Sequence, residues 1–418
     1  MAKIPHGSSG KETQRSISLK IPITKPIFDE SEKEAILKPL ESGWLVQGPF
    51  VAEFEKLVAE FTGAAFACAT SSCTTALHLA LIASGIRPND KIIVPSFTYV
   101  ASANAVEYAG AEVVFCDIDL RTFNIDISEI EKILKKDKEK VIKAIMPVNL
   151  FGLCADLPRV VEVAKRYNLK VIEDSACGLG ARIGNKHSGT FGDIGCFSFH
   201  PRKAITTGEG GMLVTDNEKI ATMVSSLRDH GASKSDLQRH REKGGSLLPE
   251  FNIRGYNYRM TDMQGALGVS QMKKLNMIIE KRMKIAQRYD QILGNITQLR
   301  IPYIPHGYTH GCQSYVCIFT DGQNLEKLPL TDIDRLNIKR NQFMTRLEKK
   351  GISVRQGTHA VHTLGYYKNK YGLQNSDYMR SYAADRLSVT LPVYAGMTDE
   401  EFEYIIDNIK DNVRKCAV

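Results

Sequence analysis

Apolar and polar positions follow a regular pattern from about residue 50 to about residue 282. Short runs rich in Val and Ile have the length of buried strands, and the segments between them, such as TTALHLALIASG, carry apolar residues at helical spacing. The strand candidates are KIIVP, EVVFCDID, KAIMPVNLFG, KVIED, GCFSFH and GGMLVTD. Nearly continuous apolar strands separated by amphipathic helices indicate a mostly parallel sheet covered on both faces, so we predict an α/β fold.

The pattern changes near residue 263, where a long amphipathic helix begins. This helix leads into the strand candidate QSYVCIFT and later into the helical segment TDEEFEYIIDNIKD, which predicts a smaller C-terminal α+β domain. The predicted organisation is a mobile tail at residues 1–21, a segment at 22–49 that packs near the functional site and the small domain, a large domain at 50–282 and a small domain at 283–418.

Composition narrows the class of protein. The 418 residues exceed what one hydrophobic core usually organises, which agrees with two domains. The net charge of +8 favours anionic ligands, but the basic residues are scattered, so small phosphorylated ligands fit better than nucleic acid. Nine cysteines without a CxxC pair indicate a reducing compartment and no structural metal site. No apolar run approaches the roughly 20 residues of a membrane span, and the first 20 residues lack the apolar region of a secretory signal. We therefore expect a cytoplasmic protein without a membrane span.

Polar side chains follow two of the predicted strands. Asp174 ends KVIED, Ser198 follows the apolar part of GCFSFH, and Lys203 comes shortly afterwards, while residues 71–75 begin a helix with several hydroxyl groups. Ligands of open α/β sheets bind at the carboxyl ends of strands. Pyridoxal phosphate (PLP) needs a lysine for its aldehyde, a carboxylate for its pyridine nitrogen and N–H groups for its phosphate. These residues supply all three, and the lysine can also move the substrate proton.

Each of these residues also has an ordinary structural interpretation. A lone aspartate after a strand is usually a turn or cap residue, and a lone lysine in a loop is usually solvated. Hydroxyl groups at the start of a helix are more often N-caps than anion sites. The glycines that follow the lysine, Gly208, Gly210 and Gly211, can serve a tight turn alone. The residues by themselves leave both interpretations open.

The stretch SFHPRKAITTGEGG, residues 198–211, resembles the lysine motif of the DegT/StrS family of PLP-dependent sugar aminotransferases. Further blocks match that family in the same order: SGWLVQGPFVAEFE, VIEDSACGLGA, SGTFGDIGCFSFHPRK, RGYNYRMTDMQGALG and RQGTHAVHTLGYY. The resemblance extends from about residue 22 to the C-terminus. It implies the PLP-dependent transferase fold of the aspartate aminotransferase type, with a mostly parallel seven-stranded sheet between helices.

The resemblance also implies a role for individual residues. Lys203 would hold PLP as a Schiff base, and Asp174 would pair with the pyridine nitrogen. Tyr99 would stack on the cofactor ring, and Asn257 would reach the cofactor phosphate of a second subunit, which implies a homodimer with shared sites. The other implied cofactor contacts are Cys73, Thr74, Cys177 and Ser198.

Two positions depart from the family pattern. The family usually has glycine at the position of Cys73, and His or Gln at the position of Cys177 on the cofactor face.

A dehydratase branch of the same fold has histidine in place of the Schiff-base lysine. His200 lies nearby, but Lys203 occupies the lysine position, so the sequence favours transamination.

The resemblance therefore predicts an aminotransferase that moves an amino group from an amino acid, by analogy L-glutamate, through pyridoxamine phosphate to a keto-sugar carried on a nucleotide. Arg355 and His359 are candidates for contact with the acceptor or with the donor carboxylate. A PLP-dependent sugar dehydratase or epimerase and a non-catalytic regulatory protein are the alternatives. A cyclitol or a free keto-sugar acid stays open as the acceptor.

Overall fold

A seven-stranded sheet lies at the centre of the structure, a computed structural model that describes residues 19–241, 248–323, 325 and 328–416. The strands of the described residues are β1 Phe66–Thr70, β2 Lys91–Pro95, β3 Phe97–Thr98, β4 Glu112–Cys116, β5 Ile142–Ile145, β6 Lys170–Asp174, β7 Arg182–Ile183, β8 Lys186–His187, β9 Ile194–Ser198, β10 Gly211–Thr215, β11 Leu299–Arg300, β12 Tyr308–Thr309, β13 Tyr315–Phe319, β14 His359–Ala360 and β15 Ser388–Leu391. The helices are α1 Glu30–Ser42, α2 Pro49–Thr62, α3 Cys73–Ala83, α4 Ala101–Tyr108, α5 Ile127–Lys136, α6 Leu157–Tyr167, α7 Glu218–Leu227, α8 Asp236–Arg241, α9 Asp262–Leu293, α10 Leu330–Lys349, α11 Gly365–Tyr371, α12 Met379–Leu387 and α13 Asp399–Cys416.

The strand order in the sheet is β1-β10-β9-β6-β5-β2-β4. Five neighbouring strands, β9, β6, β5, β2 and β4, pair in parallel. Strand β10 is antiparallel to both of its neighbours, β9 and β1. The connection from β9 to β10 contains no helix that could carry the chain back across the sheet, so β10 returns beside β9 in the opposite direction. The predicted α/β fold with a mostly parallel seven-stranded sheet is confirmed.

Helix α9 connects this sheet to the C-terminal part of the chain. Its first half packs Leu275 and Ile279 on the core beside β9 and β10, and its second half packs Tyr289 into a core formed with β13, β15 and α13. The predicted boundary between residues 282 and 283 falls inside this helix, and the domain limits stay predictions. At that point the fully buried Arg282 donates from Nε to the Cys312 carbonyl at 2.8 Å.

The C-terminal part holds a three-stranded sheet, β11-β13-β15, and it also contributes β14 to a two-stranded sheet with β3 of the N-terminal part. Strand β14 pairs with β3, with His359 opposite Thr98. Residues of β3, of the loop after β5, of β13 and of α10 and α12 share one core, which includes Phe97, Phe151, Ile318 and Leu336. This packing brings C-terminal residues to the edge of the sheet where β6 and β9 end.

The segment before α2 lies against α9. Glu32 of α1 is buried, and its carboxylate accepts hydrogen bonds from Ser270 and Gln271. It also forms an ion pair with Lys274 at 2.7 Å. Of the mobile tail predicted at residues 1–21, residues 1–18 lie outside the described residues. Ile21 is buried, and its N–H donates to the Gly351 carbonyl at 2.9 Å. Within the described ranges, no helix is both long and apolar enough to cross a membrane.

A buried carboxylate holds the loop that leads into β9. Glu173 is the residue before Asp174 in β6, and successive side chains of a strand point to opposite faces. Its carboxylate accepts N–H groups from Gly189 at 2.6 Å, Phe191 at 2.7 Å and Gly192 at 2.9 Å, and the side-chain amide of Asn149 at 3.0 Å. Burial raises the pKa of Glu173 despite these four donors. The carboxylate thus fixes the loop from which β9 begins.

We expect Glu173→Gln to lower the free energy of unfolding by about 2 kcal/mol, because the new amide group would place N–H donors against backbone N–H donors in a buried site. Thermal and urea denaturation measure the change. Glu162→Gln on the exposed face of α6 is the matched control, for which we expect a change within about 0.5 kcal/mol. Equal stability of the two variants would show that the carboxylate does not hold the loop.

Candidate functional site

A cavity of about 450 Å³ lies at the carboxyl ends of β6 and β9. It is enclosed by the start of α3, the turn between β3 and α4, the loop after β9 and segments of the C-terminal part. Most of the sequence-predicted site residues line it: Cys73, Thr74, Tyr99, Asp174, Cys177, Ser198, Lys203 and Arg355. The parallel sheet therefore brings together residues that are up to 282 positions apart in the chain, from Cys73 to Arg355.

Lys203 is held by a closed loop between β9 and β10. The backbone N–H of Lys203 donates to the His200 carbonyl at 2.8 Å, and Thr207 N–H donates to the Phe199 carbonyl at 3.0 Å. Phe199 in turn donates to the Gly210 carbonyl at 2.9 Å, and Gly208 adopts a φ of +82°, which favours glycine. The residues around the lysine thus form a hydrogen-bonded scaffold that fixes the position of its backbone.

The Lys203 ammonium contacts a thiol. Its Nζ lies 3.1 Å from Cys177 Sγ. Burial opposes the charged form of the lysine, but its contact with Cys177 and the carboxylate of Asp174 favour it, and the net result is a pKa above the ordinary value. The surrounding protein groups therefore favour the protonated form of this lysine, and a further cation beside it would favour the neutral amine.

Asp174 is almost fully buried at the end of β6. Its carboxylate accepts hydrogen bonds from Ser102 Oγ at 2.7 Å and from the Ala176 N–H at 3.1 Å, and both donors are neutral. Burial raises the pKa of Asp174, while these two hydrogen bonds and the charge of Lys203 oppose the rise. A carboxylate in this position favours a cationic partner, because the free energy of a desolvated charge falls when an opposite charge lies beside it.

The start of α3 forms an anion cradle beside β10. Ser72 caps the helix by accepting the Thr75 N–H at 3.2 Å, and Cys73 and Thr74 follow in the first turn, where backbone N–H groups lack partners within the helix. Strand β10 approaches so closely that a Cβ on Gly211 would lie 2.6 Å from the Cys73 nitrogen. This donor set, with Ser198 at the end of β9, is chemically suited to a phosphate group.

The two cysteines predicted as cofactor contacts, Cys73 and Cys177, differ in burial and in their contact with the lysine. Cys73 is buried, and burial raises the pKa of its thiol well above the ordinary value, so the thiol stays neutral. Cys177 is half-buried and contacts the lysine. Tyr99 follows β3, and 65% of its surface is exposed, so the face of its ring is available to a ligand.

Two predicted residues do not line the cavity. His359 is exposed on β14, and the nearby acid that its charge affects is Asp385. Asn257 is exposed in a bridge with Asp229. Its predicted role concerns a second subunit, so its position outside the cavity of a single chain leaves that role as a prediction.

The cavity also contains residues that the sequence reasoning missed. Arg202 lies directly before the lysine within the recognised motif, so its position was a usable signal. Ser102 lies in the first turn of α4, shortly after the stretch SFTY, where a hydroxyl group near a strand end was a weaker signal. Gln313, whose Nε2 donates to the Arg202 carbonyl at 3.1 Å, comes from a distant segment that no local pattern connects to the site.

Comparison with known proteins agrees with this geometry. The model of the DegT/DnrJ/EryC1/StrS aminotransferase family matches residues 26–410. GDP-perosamine synthase of Caulobacter vibrioides is 35% identical over 389 residues, which are 93% of this chain and 96% of that protein. UDP-4-amino-4-deoxy-L-arabinose–oxoglutarate aminotransferase of Shewanella sediminis is 31% identical over 400 residues, which cover 94% of this chain and 98% of that protein.

Among solved structures, the PLP form of the putative sugar aminotransferase Spr1654 from Streptococcus pneumoniae superposes with a TM-score of 0.84 at 27% identity, covering 95% of this chain and 100% of that one. Aminotransferases of this kind use PLP as cofactor. The residues present here fit that cofactor: a lysine for the aldehyde, a buried carboxylate that favours a cation, and an N–H cradle that a side chain at Gly211 would obstruct.

We expect Gly211→Ala to weaken PLP binding by roughly tenfold or more, because the added methyl group would push the start of α3 away from β10. Titration of the cofactor-free protein with PLP, followed by fluorescence, measures the dissociation constant. Gly365→Ala is the control, since a Cβ there meets no atom within 4 Å. An unchanged dissociation constant in Gly211→Ala would exclude the cradle as the phosphate site.

Proposed function

Because this chain belongs to the DegT/DnrJ/EryC1/StrS aminotransferase family, we propose that it transfers an amino group from L-glutamate to a nucleotide-linked keto-sugar at the cavity that contains Lys203. The observation that carries the proposal is the convergence of Lys203, Asp174 and the α3 cradle in one cavity. An aminotransferase needs these three groups together, and each alone has an ordinary structural role.

When bound, PLP provides a ring that accepts electron density from the donor carbon. In our proposal Asp174 holds the pyridine nitrogen in its protonated form, because the buried carboxylate gains a cationic partner there. Lys203 Nζ carries the cofactor and then moves the proton between the two reacting carbons. Tyr99 covers one face of the ring, and the first turn of α3 with Ser198 binds the phosphate.

The nucleotide-linked acceptor is supported by the relatives. Two of them are named for a GDP-linked and a UDP-linked amino sugar. The cavity wall carries Arg202 and Arg355, which suit an anionic substrate. The alternative of a dehydratase is not favoured, since Lys203 is present at the lysine position and His200 Nε2 lies 3.9 Å from Glu209 Oε1.

We expect Lys203→Ala to slow the reaction with L-glutamate by about 100- to 10,000-fold, because it removes the group that moves the proton. Formation of 2-oxoglutarate and the change in cofactor absorbance measure the rate. Borohydride reduction and peptide mapping should place the covalent adduct on Lys203. Lys132→Ala on the exposed face of α5 is the control. An adduct on another lysine, or a wild-type rate in Lys203→Ala, would refute the proposal.

We also propose that the enzyme is a homodimer in which Asn257 completes the site of the other subunit. Asn257 is exposed and lies outside the cavity of its own chain, which leaves its side chain available to a second subunit. The neighbouring Tyr256 and Tyr258 pack on the core with α3, so the position of Asn257 is fixed from within the subunit.

Mixing the inactive variants Lys203→Ala and Asn257→Ala tests this shared site. Random exchange makes half of the dimers hybrids, and a hybrid has one site free of both substitutions, so about a quarter of the wild-type activity should return. Turnover before and after subunit exchange measures the gain, and mixing each variant with itself is the control. No gain after exchange, or a monomer in light scattering, would contradict the proposal.

A further inference from the structure

Two guanidinium groups lie on the wall of the cavity and come from different parts of the chain. Arg202 belongs to the loop after β9, and its carbonyl is held by the side chain of Gln313 at 3.1 Å. Arg355 lies beside β15, where its carbonyl accepts the Thr390 N–H at 2.7 Å. Arg202 is exposed and Arg355 is half-buried, so Arg355 lies deeper in the wall and Arg202 lies nearer to solvent.

Neither guanidinium has a protein acceptor among the residues that the structure describes. Other buried or half-buried arginines do: Arg282 donates to the Cys312 carbonyl, Arg380 to Asp126 at 2.6 Å, and Arg228 to Glu55. Arginine donates five N–H groups in a planar fork that matches a carboxylate or a phosphate. Two arginines without such a partner on one cavity wall indicate that the acceptor is a ligand.

The charges around the pair support an anionic ligand. Burial and the charge of Arg202 both lower the pKa of Arg355, so the two guanidinium groups are close enough to repel each other. Lys203 adds a third cation to the same cavity, while its acidic residues are Asp174, which is buried at the end of β6, and Glu209, which faces His200. An anion between the arginines would remove this repulsion.

The cofactor phosphate does not account for the pair, because the α3 cradle already offers it N–H donors and hydroxyl groups. The amino donor accounts for it better than the nucleotide does. Both carboxylates of glutamate lie within three bonds of the carbon that reacts at Lys203, whereas a nucleotide diphosphate is separated from its reacting carbon by the sugar ring. A cavity of about 450 Å³ that would also hold the cofactor has room for a small amino acid such as glutamate beside it.

We propose that Arg202, together with Arg355, binds the two carboxylates of a dicarboxylic amino donor and thereby makes the enzyme selective for glutamate. Arg355, the deeper of the two, meets the carboxylate attached to the reacting carbon. Arg202, nearer to solvent, meets the side-chain carboxylate. This assignment rests on the proposed aminotransferase function, which it extends by naming the residue that selects the donor.

The test compares L-glutamate with L-glutamine, which has the same carbon skeleton but a neutral side chain, in the PLP-loaded enzyme. Arg202→Gln should raise the half-saturating concentration of glutamate by about 10- to 100-fold and change that of glutamine by less than about threefold. The maximal rate with glutamate should stay nearly unchanged, since Arg202 does not move the proton. Arg202→Lys should recover part of the loss, because it keeps the charge.

Binding of glutarate, which has both carboxylates and no amino group, gives a readout that is independent of turnover. Calorimetry should show glutarate bound about 10- to 100-fold more weakly by both Arg202→Gln and Arg355→Gln than by the wild type. The matched control is Arg159→Gln, an exposed arginine of α6 outside the cavity, for which glutarate binding and donor kinetics should not change.

Two results would overturn the assignment. One is an unchanged preference for glutamate over glutamine in Arg202→Gln. The other is unchanged glutarate binding combined with weaker binding of GDP or UDP, which would place the arginines on the diphosphate of the acceptor. Failure of the proposed function is distinguishable from both, because the wild-type enzyme itself would then accept an amino group from no amino acid.

Discussion

The buried carboxylate of Asp174 is the constraint on which the functional site depends. Two neutral donors, Ser102 and the Ala176 N–H, satisfy its hydrogen bonds, but they do not balance a charge that burial has removed from water. A carboxylate in this state is stabilised by a cation, and the pyridine nitrogen of the cofactor is a base that becomes one. The same cation disfavours the ammonium form of Lys203, whose pKa the protein groups alone raise. In the proposed mechanism the cofactor would thus supply the charge that favours the neutral, reactive form of the lysine.

The topology of the sheet explains why these groups meet. Parallel pairing places the ends of β6 and β9 at one edge, so Asp174 and Ser198 face the same cavity. The antiparallel strand β10 then brings Gly211 against the start of α3, which adds the phosphate cradle at the end of the same edge. Lys203 lies in the short connection between these two strands. A helical crossover at that point would have moved the lysine away from the cavity.

The sequence predicted the parts of this site that depend on local patterns. Asp174 and Lys203 follow strands with clear apolar runs, and the start of α3 has a recognisable cap, so their places in the fold could be inferred from neighbouring residues. That Arg202 and Arg355 lie on one cavity wall could not be inferred, because they meet only through the packing of the C-terminal part on the N-terminal part. His359 lies on β14, which pairs with β3, and its exposed side chain does not line the cavity, so its role stays a prediction.

Charge balance connects the cofactor site with the selection of the donor. The cavity wall carries three cations, Lys203, Arg202 and Arg355, against the two acids Asp174 and Glu209. In our proposal neutral N–H and hydroxyl groups at the start of α3 would bind the cofactor phosphate, so its charge would not neutralise the arginines. A donor with two carboxylates brings the missing negative charge to the cavity and leaves with it as a keto acid. The arginines would therefore bind the donor and the keto acid formed from it alike, because both carry two carboxylates.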